Sequence, residues 1–168
     1  MAEKLDKTVV RTATALVIGA LAVVFDTTIL SVALHTLAID LHTSVAQIQW
    51  VTTGYLLALA ATVPLSAWLL ARFGGKRVWM VALAVFLVGS ILSGLAWNAE
   101  SLIAFRILQG VGGGLMLPVM TTLVMEAAGG RQLGRVSAVI GLPAMAGPVL
   151  GPVLGGLILA LGDWRWIF

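Results

Sequence analysis

Thr12 to Leu34 reads TATALVIGALAVVFDTTILSVAL, an apolar run interrupted by a single ionisable residue, Asp26. At 1.5 Å per residue a helix of this length reaches about 35 Å, enough to cross a hydrocarbon core about 30 Å thick. Similar runs recur at residues 48–70, 78–96, 102–125 and 136–161. Between them lie Thr36 to Gln47, Ala71 to Arg77, Trp97 to Ser101 and Ala127 to Arg135, too short to fold by themselves. Of the 168 residues, 60% are hydrophobic and 10% charged, and the mean hydropathy is +1.07. Soluble domains carry roughly a quarter charged residues, so a soluble fold is excluded. The expectation is an all-α polytopic membrane protein with five transmembrane helices.

A cleavable signal peptide is the alternative for the first run, with Lys4, Lys7 and Arg11 ahead of an apolar stretch. Apolar residues continue past Asp26 through Ile29, Leu30, Val32, Ala33 and Leu34 without a small-x-small cleavage site, which favours a retained helix. Residues 1–11 then form a cytoplasmic leader. Residues 162–168 read as an outer turn and the start of a sixth helix, so the expectation is a bundle cut short from a longer parent.

The charges set an orientation. Lys4, Lys7, Arg11, Arg72, Lys76, Arg77, Arg131 and Arg135 fall on one side of the five spans and Arg165 on the other, with Arg106 inside a span. The positive-inside rule makes the first side cytoplasmic and turns Asp40, Glu100 and Asp163 outward. Trp50, Trp97, Trp164 and Trp166 gather near the outer boundary, an interfacial position for amphipathic rings. The net charge of +3 therefore reports membrane topology, and nucleic acid is not an expected partner. The absence of cysteine removes disulfides, zinc–cysteine sites and thiol nucleophiles together.

Asp26 lies fourteen residues after Thr12, about 21 Å along the helix and past the midplane. An ionised carboxylate at such depth costs about 2.5–3.5 kcal/mol on insertion scales, so its helix face should turn toward protein or water. Ala15, Gly19, Ala22 and Ala33 share that face at helical spacing and suit close helix contact. Two readings stand: a protonation or substrate-charge site, or a carboxylate that only hydrogen-bonds a neighbouring helix. Arg106 is the one base within a span, followed by Gln109 and Gly113 on the same stripe, which together could line a pathway. The plainer reading is an arginine that snorkels to the interface.

In the fifth run, Gly147, Gly151 and Gly155 repeat every four residues and form a groove for another backbone, while Pro148 and Pro152 remove donors and favour a kink. Helix packing and a bend used in alternating access are both compatible with this pattern. Gly54, Ala58, Thr62 and Ser66 make a lesser packing face on the second run. The loop Arg72, Phe73, Gly74, Gly75, Lys76, Arg77 lacks a phosphate-loop pattern and sets orientation. His35, Asp40 and His42 are two isolated histidines beside one outward carboxylate and do not make a metal site. No catalytic arrangement is evident, so neither an enzyme nor a cofactor is expected.

Four of these segments, in order, resemble the major facilitator superfamily, specifically its proton-coupled multidrug exporters, the fourteen-helix drug:H+ antiporters. Phe25 to Leu34 (FDTTILSVAL) is similar to that family's LDxTIVNVALP signature, departing from it at Ser31 and His35. Gln49 to Leu57 (QWVTTGYLL) is close to QWVVTAYLL, Arg106 to Gly112 (RILQGVG) matches RxxQGxG, and Gly147 to Gly156 (GPVLGPVLGG) matches the antiporter signature GPxxGPxxGG. Trp164 to Phe168 is similar to the family's WRWIF. The cytoplasmic loop motif GxLADRxGRKR keeps Arg72, Gly74, Lys76 and Arg77, but Ala67 and Ala71 replace its first Gly and its Asp. The family's loop charge interaction therefore lacks its acid here.

The resemblance implies the first five helices of an incomplete N-terminal six-helix facilitator bundle. In such a protein, hydrophobic or cationic drugs leave the cell in exchange for protons, with Asp26 and Arg106 carrying the coupling. Gly147, Pro148, Gly151, Pro152, Gly155 and Gly156 would serve as antiporter motif and packing face. The implied partners are the lipid bilayer, the small substrate, protons and the remaining helices of the parent, in a multi-pass protein of the cell membrane with a cytoplasmic N-terminus. The competing reading is a truncated, non-transporting membrane subunit that packs through its Gly-rich helix faces.

Overall fold

The computed structural model describes residues 7–127 and 133–168; residues 1–6 of the leader expected over 1–11, and Arg131, lie outside the described residues. Among the described residues six helices follow one another: α1 (Lys7–Asp40), α2 (Val45–Thr62), α3 (Leu65–Phe73), α4 (Gly75–Gly94), α5 (Ala99–Ala127) and α6 (Leu133–Leu161), then a short 3-10 turn, Trp164–Ile167. No strand occurs among the described residues. Helices satisfy every backbone group within their own segment, which lipid demands. Among the described residues, α1, α4 and α5 are each long and apolar enough to cross a membrane, and α2 and α3 are so only when taken together as a bent pair. In α6, Gly147–Leu161 is a shorter apolar helix.

The second span was expected to run unbroken from 48 to 70. Instead it bends by 53° between α2 and α3. Pro64 has no N–H to return to the preceding turn, and its ring crowds the carbonyl behind it. Thr62 Oγ1 donates to Ala58 O at 2.5 Å and Val63 N–H to Leu59 O at 3.2 Å, closing the last turn before the break.

Polar side chains fasten the helix ends on one side of the bundle. Ser44 caps α2, its Oγ accepting from the Gln47 N–H at 3.2 Å, and Asn98 Oδ1 accepts from the Ser101 N–H at 2.8 Å at the start of α5. Asp163 caps the 3-10 turn by accepting from the Arg165 N–H at 3.0 Å. At the opposite end Gly74 takes φ +78°, a left-handed value that ends α3 and redirects the chain into α4.

The chain runs up and down, with α5 at the centre. Helices α2 and α4 pack on its two sides and α6 packs on α1. Two apolar clusters fill the interior. One joins Leu16 of α1, Val78 and Trp79 of α4, and Met116 and Val124 of α5. The other joins Leu37 of α1, Ile48 of α2, Ala96, Leu102 of α5 and Trp164. Between them lies the polar level containing Asp26, Arg106 and Gln109.

Glycine sets these distances. A Cβ on Gly110 would collide with the Tyr55 carbonyl of α2, and one on Gly114 with the Leu59 carbonyl. Gly112 lies against the α4 backbone at Ala82 and Phe86, and Gly89 of α4 meets the backbone of Gln109. On α6, Gly147, Gly151 and Gly155 meet Val24, Thr28 and Ile29 of α1, respectively. Leaving out the side chain lets backbones approach and gain dispersion contacts where lipid supplies no hydrophobic drive. Elsewhere, large apolar side chains such as Ile18, Met80, Ile91, Val149 and Leu161 remain exposed, as suits surfaces turned toward lipid.

Two expectations about faces need correction. Gly19 and Ala33 do turn toward protein, but Ala15 and Ala22 are exposed, and the buried stripe of α1 runs through Leu16, Ala20, Val23, Asp26, Leu30, Ala33 and Leu37. Large side chains pack the interior of α1, while its small residues face more than one way. Trp164 is also no interfacial anchor. It is 1% exposed, inserted among Leu37, Ala96 and Leu102, whereas Trp50, Trp97 and Trp166 remain exposed.

Candidate functional site

Three helices converge on one polar level: α1 contributes Asp26, α2 contributes Tyr55, and α5 contributes Arg106 and Gln109. Arg106 and Gln109 are one turn apart and so aim at the same side. Arg106 Nη1 donates to both carboxylate oxygens of Asp26, at 2.7 and 2.6 Å, and to Gln109 Oε1 at 2.9 Å. Gln109 Nε2 donates to Asp26 Oδ1 at 3.0 Å and closes the triangle. Arg106 and Gln109 are 0% exposed and Asp26 7%, so the pair is sealed from solvent and the side chain of Arg106 does not snorkel.

One nitrogen carries all of the guanidinium's hydrogen bonds. Nε and Nη2 of Arg106 are buried without a hydrogen-bond partner among the described residues. Rings cover the guanidinium instead: Cζ lies 4.1 Å from the Tyr55 ring centroid and 5.5 Å from that of Phe168. The Tyr55 hydroxyl is buried at the same level, beside Asp26 and Arg106. Gly113, one turn beyond Gln109, leaves the space this tyrosine uses, since a Cβ there would stand 3.0 Å from its hydroxyl.

The 3-10 turn closes the bundle end beside this level. Ser90 Oγ of α4 donates to the Phe168 carbonyl at 2.5 Å, and Arg165 Nη2 donates to the Ala96 carbonyl at 3.2 Å. Arg165 also pairs with Asp163 at 3.2 Å and lies 4.3 Å above the Trp164 ring. Both partners of that ion pair are close to half exposed, which limits its worth to about 0–1 kcal/mol.

The remaining sequence-selected residues lie away from the cluster. Gly147, Gly151 and Gly155 are buried against α1, Pro152 is half-buried, Pro148 is exposed, and Gly156 faces open space. Gly74 turns the loop between α3 and α4, Arg72 sits 5.9 Å from the Trp68 ring and 5.8 Å from that of Phe73, and Lys76 and Arg77 are exposed. Ala67 and Ala71 are exposed as well. Sequence reasoning did not single out Tyr55, whose signal was being the only tyrosine in the chain, or Gly112 and Gly114, whose signal was the glycine-rich run from 110 to 114, and it missed Gly89, an isolated glycine with no such signal.

Comparison with known proteins agrees with this architecture. Residues 16–168 match the model of the Major Facilitator Superfamily. A multidrug resistance protein B homolog of Mycobacterium tuberculosis is 42% identical over 166 residues, covering 99% of this chain and 31% of that protein. The probable transport protein HsrA of Haemophilus influenzae is 38% identical over 143 residues, 85% of this chain and 31% of its own length. An uncharacterized MFS-type transporter of Bacillus subtilis, YhcA, is 34% identical over 153 residues, 91% of this chain and 29% of its own length. The chain thus spans about a third of the curated relatives it matches. Helices built to cross a bilayer, a polar level between them and a family match over nearly every residue lead to one assignment: this chain belongs to the Major Facilitator Superfamily, and it is a multi-pass membrane protein.

Proposed function

We propose that these helices are the first five spans of a longer secondary active transporter that exports hydrophobic or cationic compounds in exchange for protons, with its N-terminus cytoplasmic. The observation that carries this reading is the sealed triangle of Asp26, Arg106 and Gln109. Replacing a buried ion pair by apolar side chains is often neutral or stabilising, so fold stability alone does not call for charges here. A carboxylate whose counter-ion sits on another helix is instead suited to exchanging partners. When the outer end opens and water reaches the cluster, a proton on Asp26 releases Arg106. When a cationic substrate arrives, its charge favours the ionised carboxylate and expels the proton. Proton and substrate thereby bias one site against each other, and such coupling is reciprocal. Gln109 keeps a hydrogen bond available to either form of the acid, and Gly113 keeps the adjoining space open.

One observation weighs against the competing picture of a non-transporting subunit that docks through its Gly-rich faces. Gly147, Gly151 and Gly155 are already filled by α1 of the same chain. The test is uphill transport of tetraphenylphosphonium, a hydrophobic cation, into inverted vesicles containing the full-length transporter that carries this sequence. Asp26→Asn should abolish proton-driven accumulation while membrane yield stays near that of the parent. Undiminished accumulation would remove Asp26 from the mechanism.

A further inference from the structure

A buried guanidinium whose only hydrogen-bonding nitrogen is Nη1 faces a difficulty each time its partner carboxylate becomes neutral. Nε and Nη2 find no acceptor among the described residues, and Arg106 is 0% exposed. Arginine stays protonated in such a setting, so the positive charge must rest against something else. Besides Gln109 Oε1, which Nη1 already uses, the groups facing the guanidinium are aromatic rings. Tyr55, itself 0% exposed, stands 4.1 Å from Arg106 Cζ, and Phe168 stands farther off at 5.5 Å. The negative face of an aromatic ring attracts a cation most strongly where water is excluded.

Helix packing holds the Tyr55 ring in place. The Tyr55 carbonyl is lodged against Gly110 of α5, and Gly113 leaves room for its hydroxyl, so ring and guanidinium approach from neighbouring helices with little slack. We propose that Tyr55 is a positioning residue that carries the Arg106 cation on its ring face while Asp26 is protonated, keeping Arg106 in place to take the carboxylate back. This rests on the reading of Asp26 as the exchanging acid. Without the ring, the cation either leaves the cluster or keeps Asp26 ionised, and in both cases the proton and the substrate no longer alternate cleanly.

The experiment grades the ring's negative face without changing its size. In the full-length transporter, residue 55 is replaced by phenylalanine and then by mono-, di- and trifluorinated phenylalanine, with Tyr55→Leu and Asp26→Asn alongside. Proton release on adding tetraphenylphosphonium and proton-driven accumulation of that cation are both measured, together with folded yield. Relative to Tyr55→Phe, each added fluorine should lower accumulation, reaching at least about tenfold at trifluoro, the scale expected of a desolvated cation–π contact. Tyr55→Leu should match or exceed that loss. A flat fluorine series at normal yield would overturn the role of the ring, even where Tyr55→Leu fails to fold. Normal coupling in Asp26→Asn would instead overturn the underlying reading of the acid, so the two failures are distinguishable.

Discussion

A Cβ built on Gly89 of α4 would stand 2.7 Å from the backbone nitrogen, Cα and Cβ of Gln109 on α5. That contact is backbone against backbone, so neither side can yield by rotating a side chain. Gln109 in turn holds both Arg106 and Asp26, which ties the spacing of α4 and α5 to the geometry of the polar cluster. Gly89→Ala should therefore push α5 outward and loosen the triangle. Overpacking of this kind typically costs about 1–3 kcal/mol. The expected outcome is a lower midpoint of thermal unfolding in detergent together with impaired uphill transport, whereas Leu87→Ala, at an exposed site on the same helix, should be nearly silent.

The α1–α6 contact should be equally intolerant of bulk. A side chain on Gly151 would run into Thr28, whose Oγ1 donates to the Val24 carbonyl at 3.0 Å and is held close to its own helix. Gly151→Leu should sharply reduce folded yield, and Leu154→Ile, at an exposed position, should leave it unchanged. Equal yields would show that α1 and α6 do not need this close approach.

Hydropathy alone makes the chain all-α, because long apolar runs in lipid must satisfy their own backbone groups. The cost of charge in lipid likewise singles out Asp26 and Arg106 before any coordinates. Their contact is not legible, since the two residues are 80 positions apart and only the packing of α1 against α5 decides it. The bend at Pro64 is a local event within a run that is uniformly apolar, and hydropathy averages across it. Trp164 illustrates another limit: an amphipathic ring near an interface can lie on the bilayer surface or insert into the bundle end, and composition is the same in both cases. The glycines of α5 hide for a related reason, because a glycine's role is set by the helix opposite it.

Gln109 should matter through hydrogen bonding more than through packing. Gln109→Leu conserves approximate volume and removes the bonds at 2.9 and 3.0 Å, leaving Asp26 with Arg106 alone. Hydrogen bonds to charged groups are worth about 1.5–3 kcal/mol, so a loss of about tenfold or more in proton-driven accumulation is expected, with Gln109→Glu failing through added negative charge. Transport equal to the parent in Gln109→Leu would show that Arg106 and Asp26 suffice.

Orientation is tested by single cysteines in this cysteine-free sequence. Ser44→Cys and Asn98→Cys, both at exposed helix ends, should react with an impermeant thiol reagent in intact cells. Ala71→Cys, exposed beside the Arg72, Lys76, Arg77 loop, should react only after the membrane is opened. Labelling of residue 71 from outside would reverse the topology.

The most direct measurement is proton release when tetraphenylphosphonium is added to the detergent-solubilised full-length transporter, with binding of the same cation followed in parallel. The parent should release protons in proportion to the cation bound, because substrate charge drives Asp26 toward its ionised form beside Arg106. Asp26→Asn should still bind the cation, with no accompanying release. Proton release of the same size from Asp26→Asn would contradict the account and leave the Asp26–Arg106 pair as a structural contact.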